Sequence, residues 1–194
     1  MKIYTKRGDN GETDVIGHSQ KISKSSLRVS SYGDIDELNS FIGLTRNKLL
    51  NNNVCDDLKQ INESVITTFT EIQNILFQIG TELATVDDKS LNYKINSKNV
   101  HDIEQIIDLA QSKLSPLQNF IIPYGDNEIV CLLHICRSIC RRAERSIVSL
   151  HEVEQINTFI LKYINRMSDM FFVMARLYNI DCESGLSKDE LWEN

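Results

Sequence analysis

Apolar residues recur every three or four positions along most of this chain, and that spacing predicts long amphipathic α-helices. Sustained alternation of apolar and polar residues, which is typical of strands, is absent from the sequence. Short connections between such segments favour an all-α fold, a five-helix up-and-down antiparallel bundle. The five predicted helices run from about Ser26 to Leu50, Asp56 to Val86, Ser97 to Leu114, Asn127 to Leu150 and Glu154 to Asn179.

The periodic apolar positions predict the core of the bundle. In the first helix they are Leu27, Ile35, Leu38, Ile42 and Leu49. In the second they are Leu58, Ile61, Val65, Phe69, Ile72, Leu76, Ile79 and Leu83. In the fifth they are Ile160, Ile164, Met167, Phe171, Met174 and Tyr178.

The two ends of the chain lack this periodicity. Five of the eight glycines lie within the first 43 residues, so residues 1–24 are predicted to form an irregular arm. Residues 25–180 would form the bundle, and the polar residues 181–194 a tail that is mobile unless it docks on a ligand. The length of 194 residues fits a single domain, 1–194.

Charge and composition narrow the class of protein. The chain carries 21 basic and 27 acidic residues, a net charge of -6, which argues against a general nucleic-acid binder or a membrane-surface protein. No apolar run approaches the roughly 18 residues of a transmembrane helix, and the first residues lack the apolar region of a signal peptide. A cytoplasmic protein is therefore expected.

The cysteines and histidines suggest little chemistry of their own. The five cysteines form no Cys-x-x-Cys pair, so neither a disulfide framework nor a zinc site is indicated. Cys136 and Cys140 have helical spacing and lie near His134, which leaves a metal site open, but core thiols are the favoured interpretation. No arrangement of serine or cysteine with histidine suggests a protein nucleophile. The cysteines are Cys55, Cys131, Cys136, Cys140 and Cys182.

The fourth predicted helix carries a dense group of arginines. Arg137, Arg141 and Arg145 are four residues apart and share one face of the helix, while Arg142 and Glu144 point to either side of it. Like charges at this spacing repel each other by about 0.2–0.5 kcal/mol per pair, so the group requires an anion. Carboxylates of a neighbouring helix would satisfy it, and so would a polyphosphate, which guanidinium groups bind through paired hydrogen bonds.

Three carboxylates near the start of the first helix are candidate partners. Asp34, Asp36 and Glu37 either match the helix dipole, or one of them faces Arg141 and orients its guanidinium. In the fifth helix, Asn165 and Asp169 share a face within an apolar run. They form either an interhelical hydrogen-bond network or part of a binding site.

The arm contains glycines, hydroxyls and cations in close succession, from Thr5 to Thr13. Glycines let backbone N–H groups approach phosphate oxygens, and threonine hydroxyls and cations add hydrogen bonds and charge. The segment is not a Walker A loop, because no G-x-x-x-x-G-K-[ST] occurs in the chain. Taken alone, the segment favours a Gly-Asp turn in a flexible terminus over a phosphate-binding loop.

Together these segments closely resemble the PduO-type ATP:cob(I)alamin adenosyltransferases, also called corrinoid adenosyltransferases. The resemblance covers most of the chain, and its specificity comes from the order and spacing of the motifs. It implies a ferritin-like bundle that forms a homotrimer with active sites between subunits. The motifs are IYTKRGDNGET (Ile3 to Thr13), Lys24 before LRV, YGDIDELNSFIG (Tyr32 to Gly43), FIIP (Phe120 to Pro123), LHICRSICRRAERSIVSL (Leu133 to Leu150) and YINRMSDMFFVMAR (Tyr163 to Arg176).

The resemblance implies transfer of the 5'-deoxyadenosyl group of ATP to the cobalt of cob(I)alamin. Mg²⁺ would bind to the ATP phosphates and to no protein side chain. Asp36, Arg141 and Arg145 would be catalytic, with Asp36 paired to Arg141 across the interface, and Phe120 would displace the lower axial ligand of cobalamin. ATP would be held by Thr5, Lys6, Arg7, Gly8, Thr13, Asp14 and Lys24 of one subunit and by Arg141, Arg142, Glu144, Arg145 and Asn165 of its neighbour.

The resemblance also implies a cobalamin reductase and an adenosylcobalamin-dependent enzyme as partners. Two positions depart from the family pattern, which commonly has a small residue at Arg7 and a glycine at Tyr124. Two alternatives stay open on the sequence alone. One is a non-catalytic bundle that senses or delivers ATP or adenosylcobalamin, and the other is a structural oligomer whose arginines pair only with carboxylates.

Overall fold

A computed structural model describes residues 2–51, 56–86, 91–181 and 184–192, with the backbone alone for 56–61. It confirms the predicted all-α bundle of five helices. A two-stranded sheet in the arm is the one addition among the described elements. The elements are β1 (Glu12–Thr13), β2 (Ile22–Ser23), α1 (Leu27–Leu50), α2 (Asp56–Leu83), α3 (Ser97–Gln111), α4 (Glu128–His151) and α5 (Thr158–Tyr178).

Polar caps set where the helices begin. Ser26 caps α1, and the side chains of Asn96, Asn127 and Asn157 accept backbone N–H bonds at the starts of α3, α4 and α5. Asn96 is therefore the cap of α3. Asn157 also explains why α5 begins at Thr158, later than the periodicity predicts.

The first helix lies between α2 and α4 and runs antiparallel to both. Arg28, near the start of α1, donates to the carbonyl of Leu83 at the end of α2. Lys48, near the end of α1, pairs with Glu128 at the start of α4 at 2.9 Å. These contacts place the beginning of α1 beside the ends of its two neighbours.

The fifth helix packs beside α4, and the short α3 packs mainly against α5. Asn157, just before α5, donates to the carbonyl of Ile95 before α3, and Arg176, near the end of α5, donates to the carbonyl of Ser115 after α3. The helices α3 and α5 therefore run parallel, as alternating directions along the chain require.

The core matches the predicted seam with one exception. Every predicted inward position whose side chain is described is buried except Leu27, which is 42% exposed. Leu27 is the first residue of α1, and the buried Arg28 occupies the interior at that end of the bundle. Leu58 and Ile61 lie outside the described side chains.

The arm is more ordered than the sequence indicates. Its strands β1 and β2 pair antiparallel, and Ile16 forms a parallel bridge with Thr85 just beyond α2. Val15 is buried beside this bridge. The prediction of an irregular arm is therefore wrong for these residues, because backbone pairing fixes them to the end of the bundle where α1 begins.

The tail packs on the opposite end, so the prediction of a mobile tail is wrong for residues 184–192. Leu191 pairs antiparallel with Ile121, and Asp189 forms an ion pair with Arg176 at 2.8 Å. These contacts tie the tail to the connection between α3 and α4. No helix in the described part of the chain is both long and apolar enough to span a membrane.

Candidate functional site

The arginine face of α4 is exposed along the side of the bundle. Arg141 and Arg145 are exposed, and their guanidiniums have no carboxylate partner among the described residues; Arg145 donates to the backbone carbonyl of Arg141 at 3.0 Å. Arg137 is half-buried, and burial, followed by the neighbouring Arg141, lowers the pKa of its guanidinium. The buried face of α4 is mainly apolar, and Arg141 and Arg145 lie outside it. This face carries positive charge that the described part of the protomer leaves unneutralised.

Two acidic residues of α1, Asp34 and Glu37, lie against Arg142 within the protomer. Arg142 donates to Glu37 and lies 3.6 Å from Asp34, which also accepts a hydrogen bond from Ser146. Asp36 points elsewhere and is exposed. The carboxylate interpretation therefore holds for Arg142, whereas Arg141 receives neither Asp34 nor Glu37.

A polar chain borders the arginine face on the side of α5. Asn165 donates to Glu144 at 2.8 Å and accepts from Arg166 at 2.8 Å, and Arg166 in turn pairs with Glu104 of α3 at 3.0 Å. Of the two alternatives left open for Asn165, the interhelical hydrogen-bond network is therefore present within the protomer. Asp169, one turn further along α5, is exposed, and partial burial is the main cause that raises its carboxyl pKa.

The arm residues singled out in the sequence come together in one loop. Lys24 Nζ donates to the carbonyl of Gly8 at 2.9 Å, and the Arg7 backbone N–H donates to Thr5 Oγ1 at 3.4 Å. Arg7 forms an exposed ion pair with Asp14 at 2.9 Å. The loop therefore presents several cations and a hydroxyl, and Lys24 connects it to the start of α1.

Two details of the backbone shape this loop. A Cβ on Gly8 would lie 3.1 Å from Lys24 Nζ, so glycine permits the close approach of the lysine. Lys6 adopts a φ of 58°, in the left-handed region that non-glycine residues seldom occupy and that is concentrated at functional sites. Lys21, which the sequence analysis missed, donates to the carbonyl of Arg7 and adds a further cation.

Phe120 lies in the connection between α3 and α4 and is 75% exposed. Its ring packs edge to face with Trp192 of the tail, with 6.5 Å between centroids, and its carbonyl accepts from the Trp192 N–H at 2.8 Å. Leu117, Ile122 and Tyr124 are exposed in the same connection. The tail and the connection together form an exposed apolar patch, and Trp192 is a member of it that the sequence analysis did not select.

Gly125 explains how this connection returns to the bundle. A Cβ at this position would lie 2.6 Å from Val130 Cγ1 and 2.7 Å from Val130 Cβ, closer than real contacts allow. Tyr124, the residue before it, donates its hydroxyl to Asp126 at 2.8 Å. The glycine is thus required for packing, whereas the tyrosine side chain is held at the surface.

The arm loop and the Phe120 patch lie at opposite ends of the protomer. The arm is fixed where α1 begins, and the patch lies where α1 ends. Since α1 contains 24 residues at a rise of about 1.5 Å each, roughly 36 Å of helix separates them. The arginine face lies between these ends.

A family model described as cobalamin adenosyltransferase matches residues 3–178. This chain belongs to that family. Its adenosyltransferase relatives include the corrinoid adenosyltransferase of Bacillus subtilis, 43% identical over 179 residues that cover 92% of this chain and 87% of the relative. The cobalamin adenosyltransferase of Cupriavidus metallidurans is 35% identical over 192 residues, covering 99% of this chain and 94% of that protein.

Solved structures specify the branch of the adenosyltransferase family. A phenylalanine-to-alanine variant of the PduO-type ATP:corrinoid adenosyltransferase from Lactobacillus reuteri, complexed with cobalamin and ATP, matches with a TM-score of 0.82 and 37% identity over 100% of both chains. An arginine-to-lysine variant, complexed with ATP, matches with a TM-score of 0.80 and 35% identity over 98% of this chain and 100% of that one. The predicted PduO-type family is confirmed.

Cys136 and Cys140 of this adenosyltransferase behave as core residues, whereas Cys131 is only partly buried. Cys136 lies 3.4 Å from the Thr45 hydroxyl, and Cys140 donates to the Ile164 carbonyl at 3.2 Å. Burial raises the pKa of Cys136 to about 11 and also raises that of Cys140. Within the described residues, no group of three or more His, Cys, Asp or Glu side chains could hold a metal ion. Cys55 and Cys182 lie outside the described residues.

Proposed function

We propose that this chain transfers the 5'-deoxyadenosyl group of ATP to the cobalt of cob(I)alamin and releases adenosylcobalamin and triphosphate. The observation that carries the proposal is an arginine face without carboxylate partners in the described protomer, in a chain whose arm has the composition of a phosphate-binding loop. Relatives of the same family are named as corrinoid adenosyltransferases, and solved structures among them contain both ATP and cobalamin.

The reaction requires charge stabilisation more than it requires a protein nucleophile. The electron pair of Co(I) forms the bond to the 5' carbon of ATP, while the bond from that carbon to the phosphate oxygen breaks and its electrons remain on triphosphate. Arg141 and Arg145 are exposed, so their guanidiniums are accessible to the developing negative charge. Mg²⁺ bound to the phosphate oxygens, the hard ligands that it prefers, would add to this stabilisation.

The arm is the proposed site for ATP, together with the neighbouring subunit's α4 and α5. Arg7 and Asp14 form an exposed pair, and such pairs contribute only about 0–1 kcal/mol, so Arg7 can exchange its carboxylate for a phosphate at little cost. The proposed contacts from the arm are Thr5, Lys6, Arg7, Gly8, Thr13, Asp14 and Lys24. Those from the neighbour are Arg141, Arg142, Glu144, Arg145 and Asn165.

Phe120 is the proposed contact with cobalamin. Its ring is 75% exposed within an apolar patch, which suits the face of a corrin macrocycle. An apolar wedge at the lower face of cobalt disfavours an axial nitrogen ligand, and four-coordinate cobalt is more easily reduced to the reactive Co(I) state.

The decisive experiment is an anaerobic assay of the purified protein with chemically reduced cob(I)alamin, ATP and Mg²⁺. We expect the corrin spectrum to convert to that of adenosylcobalamin, with one triphosphate released for each cobalamin consumed. A parallel reaction without ATP is the matched control. Binding of ATP without conversion would favour the non-catalytic sensor or delivery protein, and failure to bind ATP would leave a structural bundle.

The separation of the arm from Phe120 supports an oligomeric site. About one helix length divides the two within a protomer, and exposed Asp36 is free of Arg142, so it can meet Arg141 of another subunit. We therefore predict that light scattering of the active protein gives the mass of a homotrimer. A monomer with full activity would contradict both the trimer and the proposed Asp36–Arg141 contact.

Further partners follow from the chemistry of this proposal. The substrate must be reduced to Co(I), so a cobalamin reductase is proposed upstream, and the product would be consumed by an adenosylcobalamin-dependent enzyme. A cytoplasmic location remains a prediction from the sequence.

A further inference from the structure

The tail contains a buried ion pair that the proposed transfer does not use. Arg176 near the end of α5 and Asp189 of the tail form it, with Nε and Oδ2 2.8 Å apart and side chains only 8% and 7% exposed. The Arg176 guanidinium also donates to the Ser115 carbonyl at 3.0 Å. Asn179 donates to the other oxygen of Asp189 at 3.2 Å. One guanidinium therefore joins α5, the tail and the connection after α3.

The tail continues from this pair directly to the backbone of Phe120. The carbonyl of Glu190 accepts from the Ile122 N–H at 2.8 Å, and the Trp192 N–H donates to the Phe120 carbonyl at 2.8 Å. The side chain of Asn119 then donates to the Trp192 carbonyl at 2.9 Å. Phe120 and a residue on either side of it are thus hydrogen-bonded to Glu190 or Trp192 of the tail.

The anchor of the tail is an ion pair and not an apolar contact, and the two have different effects. A buried ion pair is a poor source of net stability, because removing two charges from water offsets most of their attraction, whereas it imposes a specific geometry on the groups it joins. Apolar side chains could also hold the tail against the bundle, but their contacts are not directional and would fix its orientation less closely. Here the buried charge lies in the tail, which is also the segment that packs against the exposed ring of Phe120.

We propose that the buried Arg176–Asp189 pair is a positioning device for the cobalamin side of the reaction, holding the tail so that Phe120 and Trp192 keep their places. This inference rests on the proposed function, because it assigns Phe120 to cobalamin. Arg176 and Asp189 act through the tail and touch no substrate. Loss of the pair should therefore affect cobalamin and spare ATP.

The test is the variant Asp189→Asn, with Lys188→Gln as its matched control. Lys188 is the adjacent tail residue and forms a partly exposed ion pair with Asp181 at 3.0 Å, so its loss removes a charge pair without disturbing Arg176. For Asp189→Asn we expect the KM for cob(I)alamin to rise about tenfold, as fits the loss of a charged hydrogen bond, while the KM for ATP stays within about twofold. Lys188→Gln should leave both constants unchanged.

Two spectroscopic readouts separate positioning from general damage. Trp192 is the single tryptophan of the chain, so its emission should shift to the red and become more easily quenched by acrylamide in Asp189→Asn. The fraction of protein-bound cob(II)alamin in the four-coordinate form, measured by electron paramagnetic resonance with ATP present, should fall. Equal rises in both KM values, or unchanged Trp192 emission, would overturn the inference.

A second variant keeps the test decisive if Asp189→Asn destabilises the bundle. Trp192→Ala leaves the buried pair intact and removes only the contact of the tail with the Phe120 ring. It should raise the KM for cob(I)alamin in the same direction, and an unchanged value would overturn the link. If the unmodified protein fails to adenosylate cobalamin, the proposed function fails instead, and Trp192 quenching still reports whether the pair anchors the tail.

Discussion

Replacing Arg141 with alanine is expected to lower kcat for adenosyl transfer by about 100-fold or more, the scale seen when a group that stabilises developing charge is removed. Arg141 is exposed on α4, and its guanidinium has no carboxylate partner in the described part of the protomer. Its charge is therefore available to a departing triphosphate. The measurement is the anaerobic conversion of cob(I)alamin at saturating ATP.

The same variant should fold normally, because an exposed guanidinium without a carboxylate partner among the described residues contributes little to the bundle. Its midpoint of thermal unfolding should match that of the unmodified protein. Arg141→Lys should recover part of the rate, since it keeps the charge but not the planar pair of donors. Lys48→Ala removes a partly exposed cation that pairs with Glu128 and should keep full activity. Wild-type kcat in Arg141→Ala would exclude this arginine from the site.

Replacing Arg28 with methionine is expected to lower the free energy of unfolding by about 3 kcal/mol, which for a chain of this length corresponds to a fall of roughly 10 °C in Tm. Arg28 is 5% exposed and donates to the carbonyls of Leu83 and Thr85, where α2 ends, and to Glu154 beyond α4. Methionine fills similar space but leaves the two buried carbonyls without their donor.

The matched control is Glu154→Gln, which removes the charge of the partner but keeps an acceptor. The Glu154 side chain is 42% exposed, so water can solvate the change, and we expect a loss below about 1 kcal/mol. Scans should be made at one protein concentration, because assembly shifts the apparent stability. Equal losses of unfolding free energy in the two variants would show that Arg28 stabilises the fold through its ion pair with Glu154 and not through its bonds to the two carbonyls.

The helices could be predicted from the sequence because each buries one continuous apolar face. Phe69 and Ile164, for example, lie at positions of strict helical spacing, and both are fully buried. The arm and tail were harder to predict. Strands of two residues, such as Glu12–Thr13, carry too few positions for a pattern to emerge. Their order comes from backbone pairing with distant segments, as Ile16 does with Thr85, and this leaves no local signature.

The segments that form the candidate site could be predicted from the sequence, but which side chains pair with each other was predicted less well. Helical spacing correctly separated Arg142 and Glu144 from the arginine face, because side-chain direction follows from residues per turn. It could not show that Glu37 reaches Arg142 and not Arg141, since that depends on how far α1 is shifted along α4. Asp189 was missed because its role depends on pairing with Arg176, 13 residues earlier in the chain, and nothing in the local sequence indicates that contact.

The two buried thiols of α4, Cys136 and Cys140, make the opening of the bundle measurable. Burial raises the pKa of Cys136 to about 11, so its reactive thiolate is scarce at neutral pH, and the side chain is fully buried against Thr45 of α1. Alkylating reagents can reach it only when α4 separates from its neighbours. The rate at which Cys136 and Cys140 become labelled would thus measure how often α4, the helix that carries the arginines, opens.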